Sequence, residues 1–358
     1  MRNKVIILRA LPWGSDSRAE RWAKIYSDKL PLFGIWGYMQ NDNVKSITSI
    51  VRKPENKLLI ALGYIWFSLM TFVFVLRNAK KNDTVVFIDL ETILFGFLAA
   101  FIKKADIHYD MADPFYLVKP VPFRFFWKLL EKFYIYNTKV VTAPHLLRFK
   151  IFFEKIQSNM KVVENVPIYE NKLDIFPHFS SDNKIIVGYF GGLEANYRGL
   201  ENLAKLVVND NRLKLVIAGS GTLFNFFVDL SKKCDRIIFK GKYDIQDLPT
   251  LVKNIDVYFA YYSELKPLHK IASPNKFYEH LFFGKPILTS VCIPQSESIQ
   301  KFNTGWCIEN DEDALINWKN SLFNNNLDFL YYFYNCRNLW LERYEKYYEE
   351  LLFNKTEI

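Results

Sequence analysis

The segment Ser273-Pro-Asn-Lys-Phe-Tyr-Glu-His-Leu-Phe-Phe-Gly-Lys-Pro286 carries the sharpest structural signal in the chain. Ser273 is a favourable N-cap residue, and Pro274 suits the first helical position. Gly284, followed closely by Pro286, is a typical helix stop. The segment therefore predicts a helix of about ten residues that begins after Ser273.

The first turn of this helix predicts an anion site. Its free N–H groups, with Ser273, Asn275 and Lys276, would face a negatively charged ligand. Glu279 follows Lys276 at the i, i+3 spacing, so both side chains lie on the same face. This layout suits a phosphate at the helix start and a polyhydroxylated ring beside Glu279. A surface salt bridge between Lys276 and Glu279 is the alternative interpretation.

On both sides of this segment, short β-rich runs alternate with longer helical ones, which predicts an α/β fold with parallel sheets and crossover helices. The predicted strands are Val5–Leu8, Ser46–Val51, Thr84–Ile88, Ile107–Asp110, Lys139–Thr142, Lys184–Phe190, Lys214–Ala218, Arg236–Phe239, Val257–Ala260 and Pro286–Ser290. Helices are predicted in the first half at Ser17–Leu30, Asn56–Asn78, Ile93–Lys103 and Phe123–Tyr136.

The rhythm of strands and helices is interrupted once, by a polar stretch over residues 171–183. We interpret it as a linker between residues 1–170 and residues 184–323, each a Rossmann-like domain. The last residues, 324–358, are rich in Tyr, Phe and Trp and predict helices that cross back to the first domain.

Three glycine turns follow predicted strands of the second domain. Gly191-Gly192 precedes Arg198, and Gly219 and Gly241 follow the next two strands. Glycine at such turns lets the backbone approach a ligand, and Arg198 is placed to reach a phosphate. The sequence Gly-Ser-Gly-Thr-Leu-Phe over residues 219–224 lacks the third glycine of a dinucleotide fingerprint, and the chain has no P-loop motif. Dehydrogenase and P-loop classes are therefore disfavoured.

In this order, these turns and the segment from Ser273 to Pro286 resemble the donor half of GT-B glycosyltransferases, specifically family 4. The resemblance is clear over residues 184–300, and over the first half it rests on architecture alone. It implies two Rossmann-like domains facing each other across a cleft. It also implies transfer of a hexose, with retention, from a nucleoside-diphosphate sugar without a metal or other cofactor.

The resemblance also implies a role for each matching residue. Glu279 would hold the ribose hydroxyls, and Arg198 and Lys276 would neutralise the diphosphate, whose charge grows as the glycosidic bond breaks. The backbone at Gly241 and Lys242 would line the base. The chain departs from the family pattern in two places: Gly192 where an arginine is common, and Ile271 where a second glutamate is usual.

The first domain is expected to bind the acceptor. Gly14 lies at the first strand-to-helix turn, where the backbone would approach the diphosphate or the acceptor. Asp110 and Asp113 lie at the end of a predicted strand, where α/β sites form, and we predict that at least one of them accepts a proton from the acceptor hydroxyl or orients it. A helix cap and a turn are the alternative roles for these two aspartates. His108 and His145 are expected to be structural.

Charge and apolar patterning point to a membrane. The chain has a net charge of +9, with 26 Lys and Arg against 16 Asp and Glu in residues 1–178. Arg124, Lys128 and Lys132 form one stripe on an aromatic-rich helix, which suits an anionic membrane surface. An ordinary amphipathic helix packed on its own sheet is the alternative interpretation. No nucleic-acid-binding motif accompanies this charge. The uncharged run Leu58–Leu76 would span a bilayer, lie against one or be buried as a helix.

These observations predict a cytoplasmic glycosyltransferase, peripheral on the inner face of the plasma membrane. Its acceptor would be a lipid-linked oligosaccharide of a bacterial surface polysaccharide such as O-antigen or capsule. The four cysteines show no metal-binding spacing and are expected to be reduced thiols, in keeping with the cytoplasm. A nucleotide-sugar epimerase and a non-catalytic partner subunit remain the alternatives.

Overall fold

The computed structural model describes residues 4–11, 17–26, 31–36, 47–51, 57–118, 123–169, 177, 184–309, 312–324 and 328–353. The chain divides into two compact units. The first unit contains Met1–Ile168 and Tyr347–Ile358, and the second contains Tyr169–Lys346.

The elements of the first unit, before its C-terminal helix, are β1 (Val5–Arg9), α1 (Arg18–Ile25), β2 (Pro31–Trp36), β3 (Ile47–Val51), α2 (Lys57–Asn78), β4 (Thr84–Ile88), α3 (Leu90–Ile102), β5 (Asp106–Asp110), α4 (Phe115–Val118), α5 (Arg124–Asn137), β6 (Val140–Ala143), α6 (Leu147–Lys150) and β7 (Met160–Val162). The strands form one parallel sheet in the order β3-β2-β1-β4-β5-β6-β7.

The second unit contains β8 (Ile185–Gly192), α7 (Leu200–Asn209), β9 (Leu213–Ser220), α8 (Phe224–Lys233), β10 (Ile237–Phe239), α9 (Leu248–Lys253), β11 (Val257–Ala260), α10 (Asn275–Phe283), β12 (Ile287–Ser290), α11 (Ser296–Lys301), β13 (Gly305–Ile308), α12 (Glu312–Asn324) and α13 (Phe329–Arg343). Its parallel sheet has the order β10-β9-β8-β11-β12-β13. Helix α14 (Tyr347–Phe353) returns to the first unit, where the Tyr348 hydroxyl donates a hydrogen bond to the carbonyl of Val166.

Apolar strands with helices on both faces build the core of each unit. The central strands β1 and β4 are almost entirely buried, as continuous runs of Val, Ile and Leu predict for a parallel sheet. In the second unit, β8, β9 and β11 bury their side chains beneath α7 and α8. The carboxyl ends of parallel strands meet at one edge of each sheet, which is where both candidate sites lie.

The structure contains every predicted strand and three strands that the sequence did not predict, namely β2, β7 and β13. Strand β7 has only three residues, and the four residues of β13 include a glycine and a tryptophan. Neither has the longer run of apolar and β-branched residues that marks the other strands in the sequence. Strand β2 begins with Pro31, and proline argues against a strand in sequence-based prediction.

The run Leu58–Leu76 lies within α2, which joins two strands of the same sheet. Strand β1 pairs with β4, and β3 belongs to the same sheet. The strands before and after α2 must therefore lie on the same side of a membrane. The spanning alternative is therefore excluded by topology. Among the described residues, no helix is long and apolar enough to cross a membrane.

Candidate functional site

Three glycines from different strand ends lie side by side in the second unit. Gly191 is in register with Gly219 in the β8–β9 pair, and the Gly219 amide donates a hydrogen bond to the Gly241 carbonyl at 2.8 Å. All three have positive φ, and a Cβ on Gly219 would lie 1.8 Å from the Gly191 carbonyl oxygen. Glycine is required at Gly219 because the strand ends approach too closely for a side chain, and the positive φ favours glycine at Gly191 and Gly241.

Lys276, in the first turn of α10, reaches the sheet edge formed by Gly191, Gly219 and Gly241, which we call the glycine edge. A Cβ built on Gly191 would lie 2.6 Å from its Nζ, and Nζ lies 5.0 Å from the centre of the Tyr189 ring. Burial lowers the pKa of Lys276 to about 8, the charge of Glu279 opposes this shift, and the charge of Arg198 adds to it. The site therefore holds a cation that is short of compensating negative charge.

Glu279 is buried one turn further along α10, and one of its carboxylate oxygens is fixed from the sheet. The Tyr258 hydroxyl donates a hydrogen bond to Oε2 at 2.7 Å. Tyr258 lies on β11, the strand next to β8, so the sheet itself sets the orientation of the carboxylate. The interpretation of Lys276 and Glu279 as a surface salt bridge is wrong, because Glu279 is buried.

Arg198 approaches the same edge from the loop before α7. Its Nε lies 3.5 Å from a carboxylate oxygen of Glu194, and its guanidinium lies 4.7 Å from the centre of the Tyr262 ring. Burial lowers the pKa of Arg198, but the nearby Tyr262, Tyr189 and Glu194 raise it by more, so the group stays charged. The Glu194 carboxylate also lies 3.4 Å from the Lys266 ammonium group.

The start of α10 differs from the prediction in one respect. Ser273 does not cap the helix, because Pro274 occupies the N-cap position and the Ser273 hydroxyl shares a 3.0 Å hydrogen bond with Tyr278. Asn275, the first helical residue, is exposed, and Gly284 ends the helix with φ 65° as predicted. Proline has no N–H, so the amides available to a ligand begin at Asn275.

Gly192 and Lys242, predicted beside the phosphates and the base, are both exposed. Gly192 lacks a positive φ, and a Cβ there would meet only the Glu194 side chain, at 4.0 Å. The steric need for glycine therefore falls on Gly191. The backbone at Gly241 is open, because a Cβ built there would have no described atom within 4 Å.

Two residues of this site were missed by sequence reasoning. Tyr189, in the middle of an apolar strand, donates a hydrogen bond to the Gly192 carbonyl at 2.5 Å and supports Lys276 with its ring. His269 lies in the 3₁₀ turn Pro267–Ile271, which also contains buried Ile271. Neither residue belongs to a motif. The fold brings Tyr189 to the glycine edge and places the His269 ring 5.2 Å from that of Tyr262, which also packs on Arg198.

The buried ring of His269 has a defined tautomer. Its Nδ1 lies 2.6 Å from the Ser263 carbonyl, so Nδ1 carries the proton and Nε2 is an acceptor. Burial lowers the pKa of His269 to about 4, so the ring is neutral at pH 7. Within residues 184–309, Nε2 is buried without a hydrogen-bond partner. An unpaired buried acceptor costs stability, so its presence calls for an explanation.

In the first unit, Asp110 is fully buried and holds the fold together. It receives two hydrogen bonds from Arg18, at 2.7 and 2.6 Å, and further ones from Trp22 and Thr142. Burial raises the pKa of Asp110, but the charge and hydrogen bonds of Arg18 lower it by more. The catalytic role predicted for Asp110 does not fit, because its carboxylate is already fully occupied and cannot be reached by a substrate.

Asp113 lies at the same edge, half exposed, with Oδ1 3.0 Å from Arg148. Its amide donates a hydrogen bond to Asp89 at 3.0 Å, and Asp89 pairs with Arg9 at the end of β1. Asp89, Asp113 and Arg9 line one small cavity of about 130 Å³, together with Glu91. This cavity is the candidate acceptor site.

Asp89, which sequence reasoning missed, is the most unusual residue of this cavity. It follows β4 directly and has φ 66°, a left-handed conformation that is strained for a residue with a side chain. Burial raises its pKa, the charge of Arg9 opposes this, and the carboxylates of Glu91 and Asp113 add to it. Strain and a raised pKa together are typical of residues that are kept for function.

The remaining predicted residues of the first unit are structural or lie outside the described residues. His108 is buried, with its ring edge-on to Trp22 and Nε2 2.9 Å from the Thr142 hydroxyl, and burial lowers its pKa to about 4. His145 accepts a hydrogen bond from the Leu147 amide. Gly14 lies outside the described residues. In the described parts of the chain, no cluster of three metal-ligating side chains occurs.

Two parallel-sheet units, with the glycine edge and α10 in the second, define the GT-B fold of glycosyltransferases. Solved structures agree. Anabaena HepE, solved with UDP and glucose, has a TM-score of 0.73 at 15% identity, with 99% of this chain and 100% of that chain covered. Sucrose-phosphate synthase from Thermosynechococcus elongatus has a TM-score of 0.72 at 12% identity, with 99% and 98% covered.

The lipopolysaccharide outer core galactosyltransferase WaaB, in its apo form, has a TM-score of 0.63 at 13% identity, with 98% and 99% covered. In sequence, residues 184–325 match the family model described as "Glycosyl transferases group 1". No curated protein sequence matches the chain. Residues 184–325 are thus similar to group 1 glycosyltransferases, and the chain has the GT-B fold, which confirms the GT-B resemblance seen in the sequence; membership of family 4 stays a prediction.

Proposed function

We propose that the protein transfers a hexose from a nucleoside-diphosphate sugar to the hydroxyl group of an acceptor. The observation that carries the proposal is the arrangement of Lys276, Arg198 and Glu279 around the glycine edge of the second unit. Two cations suit a diphosphate, and a fixed carboxylate suits the two hydroxyls of a ribose. HepE, which was solved with UDP and glucose, shares this fold.

The proposed chemistry needs no cofactor. Negative charge develops on the leaving diphosphate as the glycosidic bond breaks, and preorganised cations stabilise that charge. Lys276 is held against Gly191 and the ring of Tyr189 before any ligand arrives, so little reorganisation is needed. The backbone at Gly241 is open and Lys242 beside it is exposed, which leaves room for the base.

We further propose that the transfer proceeds with retention and that His269 takes part in holding the transferred sugar. Position 271 carries buried isoleucine, so no carboxylate is available there. The unpartnered Nε2 of His269 lies in the same turn and is the acceptor that a sugar hydroxyl would need. A hydroxyl donating to Nε2 would remove the cost of leaving this atom unpaired.

In the first unit, we propose that the cavity around Asp89 binds the acceptor. Asp89 replaces Asp110 as the residue that orients the acceptor hydroxyl, and Asp113 and Arg9 shape its surroundings. A carboxylate with a raised pKa is a better proton acceptor than an ordinary one at neutral pH. Arg9 and Arg148 would also suit an anionic acceptor.

The proposed acceptor is a lipid-linked oligosaccharide of a bacterial surface polysaccharide, such as O-antigen or capsule. WaaB, a lipopolysaccharide outer core galactosyltransferase, shares the fold. Helix α5 carries Arg124, Lys128 and Lys132 together with exposed aromatic side chains. This combination favours an anionic membrane surface as partner. We therefore propose a peripheral location on the cytoplasmic face of the plasma membrane.

The proposal is tested by thermal unfolding of the purified chain with a panel of UDP-, GDP- and CMP-sugars. One nucleotide sugar should raise the melting temperature, because a ligand that binds only the folded state stabilises it. Glu279→Gln should abolish the shift, whereas Glu297→Gln, an exposed glutamate of the same unit, should keep it. If no nucleotide sugar stabilises the wild-type protein, the donor site is wrongly assigned.

A further inference from the structure

The first unit carries a broad apolar surface that no described part of the unit covers. Exposed large apolar side chains concentrate on three helices, four on α2, four on α3 and five on α5. These are Leu62, Ile65, Trp66 and Leu69; Phe95, Leu98, Phe101 and Ile102; and Phe125, Phe126, Leu129, Phe133 and Tyr136. We call this set the apolar face. Single exposed apolar residues are ordinary, but a contiguous set of this size marks an interaction site.

The sheet topology places all three helices on one side of the sheet. The connections β3–α2–β4, β4–α3–β5 and β5–α5–β6 all step across the sheet in the same direction, whereas β1–α1–β2 steps the opposite way. Parallel crossovers are right-handed, so α2, α3 and α5 share one face and α1 lies on the other. Helix α1 carries no exposed large apolar residue.

Contacts between the three helices make the surface continuous. The Ser68 hydroxyl of α2 donates a hydrogen bond to the Glu91 carbonyl of α3 at 2.6 Å. Gly96 allows α3 to pack closely on both neighbours, since a Cβ there would lie 2.3 Å from the Phe87 ring of β4 and 3.1 Å from a side-chain carbon of Thr71 on α2. Phe97 of α3 packs on Tyr134 of α5 with ring centres 5.5 Å apart. The exposed stripes are therefore adjacent.

The exposed charges on the three helices themselves are of one sign. Beside them, Asp106 of β5 lines a cavity with Phe101 and Phe133 and is paired with Lys139 at 3.2 Å. The three helices contain two acidic residues, Glu91 and Glu131, and both are buried. Glu131 is turned inward, where it accepts hydrogen bonds from the Tyr109 hydroxyl and the Phe115 amide. The cations Arg124 and Lys132 are exposed along one edge of the α5 stripe. An anionic partner is therefore favoured.

From these observations we infer that the apolar face inserts into one leaflet of an anionic lipid bilayer and holds the protein there by apolar contact. The inference deepens the proposed membrane association and rests on it. A bilayer fits better than a second copy of the chain, because two copies joined through this face would bring the exposed cations of α5 together, and Asp106, the acidic residue described beside the face, is already paired with Lys139. Aromatic and leucine side chains flanked by cations are typical of interfacial helices.

Insertion makes a prediction that binding through charge alone does not. At about 1 M salt the screening length falls to about 3 Å, so a protein held only by its cations is released. A protein held by inserted side chains stays bound. The effects of the exposed cations and of the apolar face can therefore be measured separately. Arg124 and Lys132 set the preference for anionic lipid, and the apolar face sets the resistance to salt.

The test is flotation of the full chain with vesicles of phosphatidylcholine, with and without phosphatidylglycerol, at low and at high salt. Wild-type protein should float with the anionic vesicles and remain bound at high salt. Leu98→Ser combined with Phe101→Ser should lose the salt-resistant fraction. Arg124→Gln combined with Lys132→Gln should lose the preference for anionic lipid and keep salt resistance.

The control is Tyr331→Ser combined with Tyr334→Ser on α13, which removes two exposed aromatic residues of the second unit and should change nothing. Complete release of the wild-type protein by salt would overturn the inference. So would a concentration-dependent dimer that the α3 variant abolishes, because the face would then bind a second copy. Each variant is also tested for thermal stabilisation by the donor, so failure of membrane insertion is distinguishable from failure of the donor site.

A second measurement follows one residue of the face. Trp66 is exposed on α2, and lipids brominated on the acyl chain quench tryptophan that enters the hydrocarbon. Anionic brominated vesicles should quench part of the wild-type fluorescence, and Trp66→Phe should lose most of that quenched part. Equal quenching in both proteins would contradict insertion of α2.

Discussion

The ammonium group of Lys276 occupies the space that a side chain would take at Gly191. A Cβ on Gly191 would lie 2.6 Å from Nζ, and Gly191 has φ 147°. The end of β8 and the start of α10 are therefore matched to each other, although 85 positions separate them in the sequence. The cation reaches the sheet edge only because the strand ends in glycine.

This relationship predicts the effect of adding one methyl group. Gly191→Ala should displace Lys276 and weaken donor binding by about tenfold or more, and strain at this φ should cost about 1–3 kcal/mol of unfolding free energy. Gly192→Ala is the matched control, because a Cβ there meets nothing closer than 4.0 Å. Titration calorimetry with the stabilising nucleotide sugar measures the first effect. Equal affinities in the two variants would disprove the steric match.

The lowered pKa of Lys276 predicts how donor binding depends on pH. Burial brings this pKa to about 8 in the free protein, and a bound diphosphate favours the charged form and raises it. Below about pH 8 the lysine is already charged, so affinity is constant. Above it, binding must take up a proton, and affinity should fall by up to about tenfold for each pH unit.

The control for this pH dependence is Lys276→Arg, since arginine stays charged throughout the range. Affinity of this variant should be flat between pH 7 and about 9.5, even if it is lower overall. Proton uptake, measured by calorimetry in buffers of different ionisation heat, should appear in the wild type alone. A wild-type affinity that does not change with pH would show that Lys276 does not contact the diphosphate.

His269 should distinguish a bound sugar from a bound nucleotide. In His269→Asn the amide nitrogen can still donate to the Ser263 carbonyl, but the acceptor at the Nε2 position is lost. We expect affinity for the nucleotide sugar to fall about tenfold, the equivalent of one lost hydrogen bond. Affinity for the nucleoside diphosphate without its sugar should be unchanged. If both fall together, Nε2 has no role specific to the sugar.

Asp110 should control stability. Asp110→Asn leaves the buried guanidinium of Arg18 without its charge partner, which should lower the unfolding free energy by about 3–5 kcal/mol. Asp106→Asn, on the same strand, breaks an exposed pair with Lys139 and should cost less than about 1 kcal/mol. Urea unfolding measures both. Similar costs for the two variants would contradict the structural role of Asp110.

Asp89 should control transfer. Asp89→Asn keeps the size of the side chain and removes its ability to accept a proton, so transfer should fall by about 100-fold or more. Stabilisation by the donor should persist, because the second unit is unchanged. The acceptor is supplied as a membrane extract with a radiolabelled nucleotide sugar. Undiminished transfer would remove Asp89 from the proposed acceptor site.

The donor side was predictable because its signals are local. Helix α10 is marked by a proline at its start and a glycine at its end, and the strands by unbroken apolar runs. The acceptor side was less predictable, because the residues at the end of a strand look alike in sequence. Asp110, Asp113 and Asp89 all lie at or just after the end of a strand, and only packing shows that Arg18 and Trp22 already occupy the first of them.

The sequence by itself determined the two α/β units, the glycine turns and the cations that suit a diphosphate, because each depends on a spacing of a few residues. Tertiary structure decided which of these groups meet. It set Lys276 against Gly191, turned Glu279 toward Tyr258 and withdrew Asp110 into the core. It also decided that α2, α3 and α5 lie on one face of the sheet. Right-handed crossovers determine the side on which a helix lies only when the order of the strands is known, and that order is a property of the folded sheet.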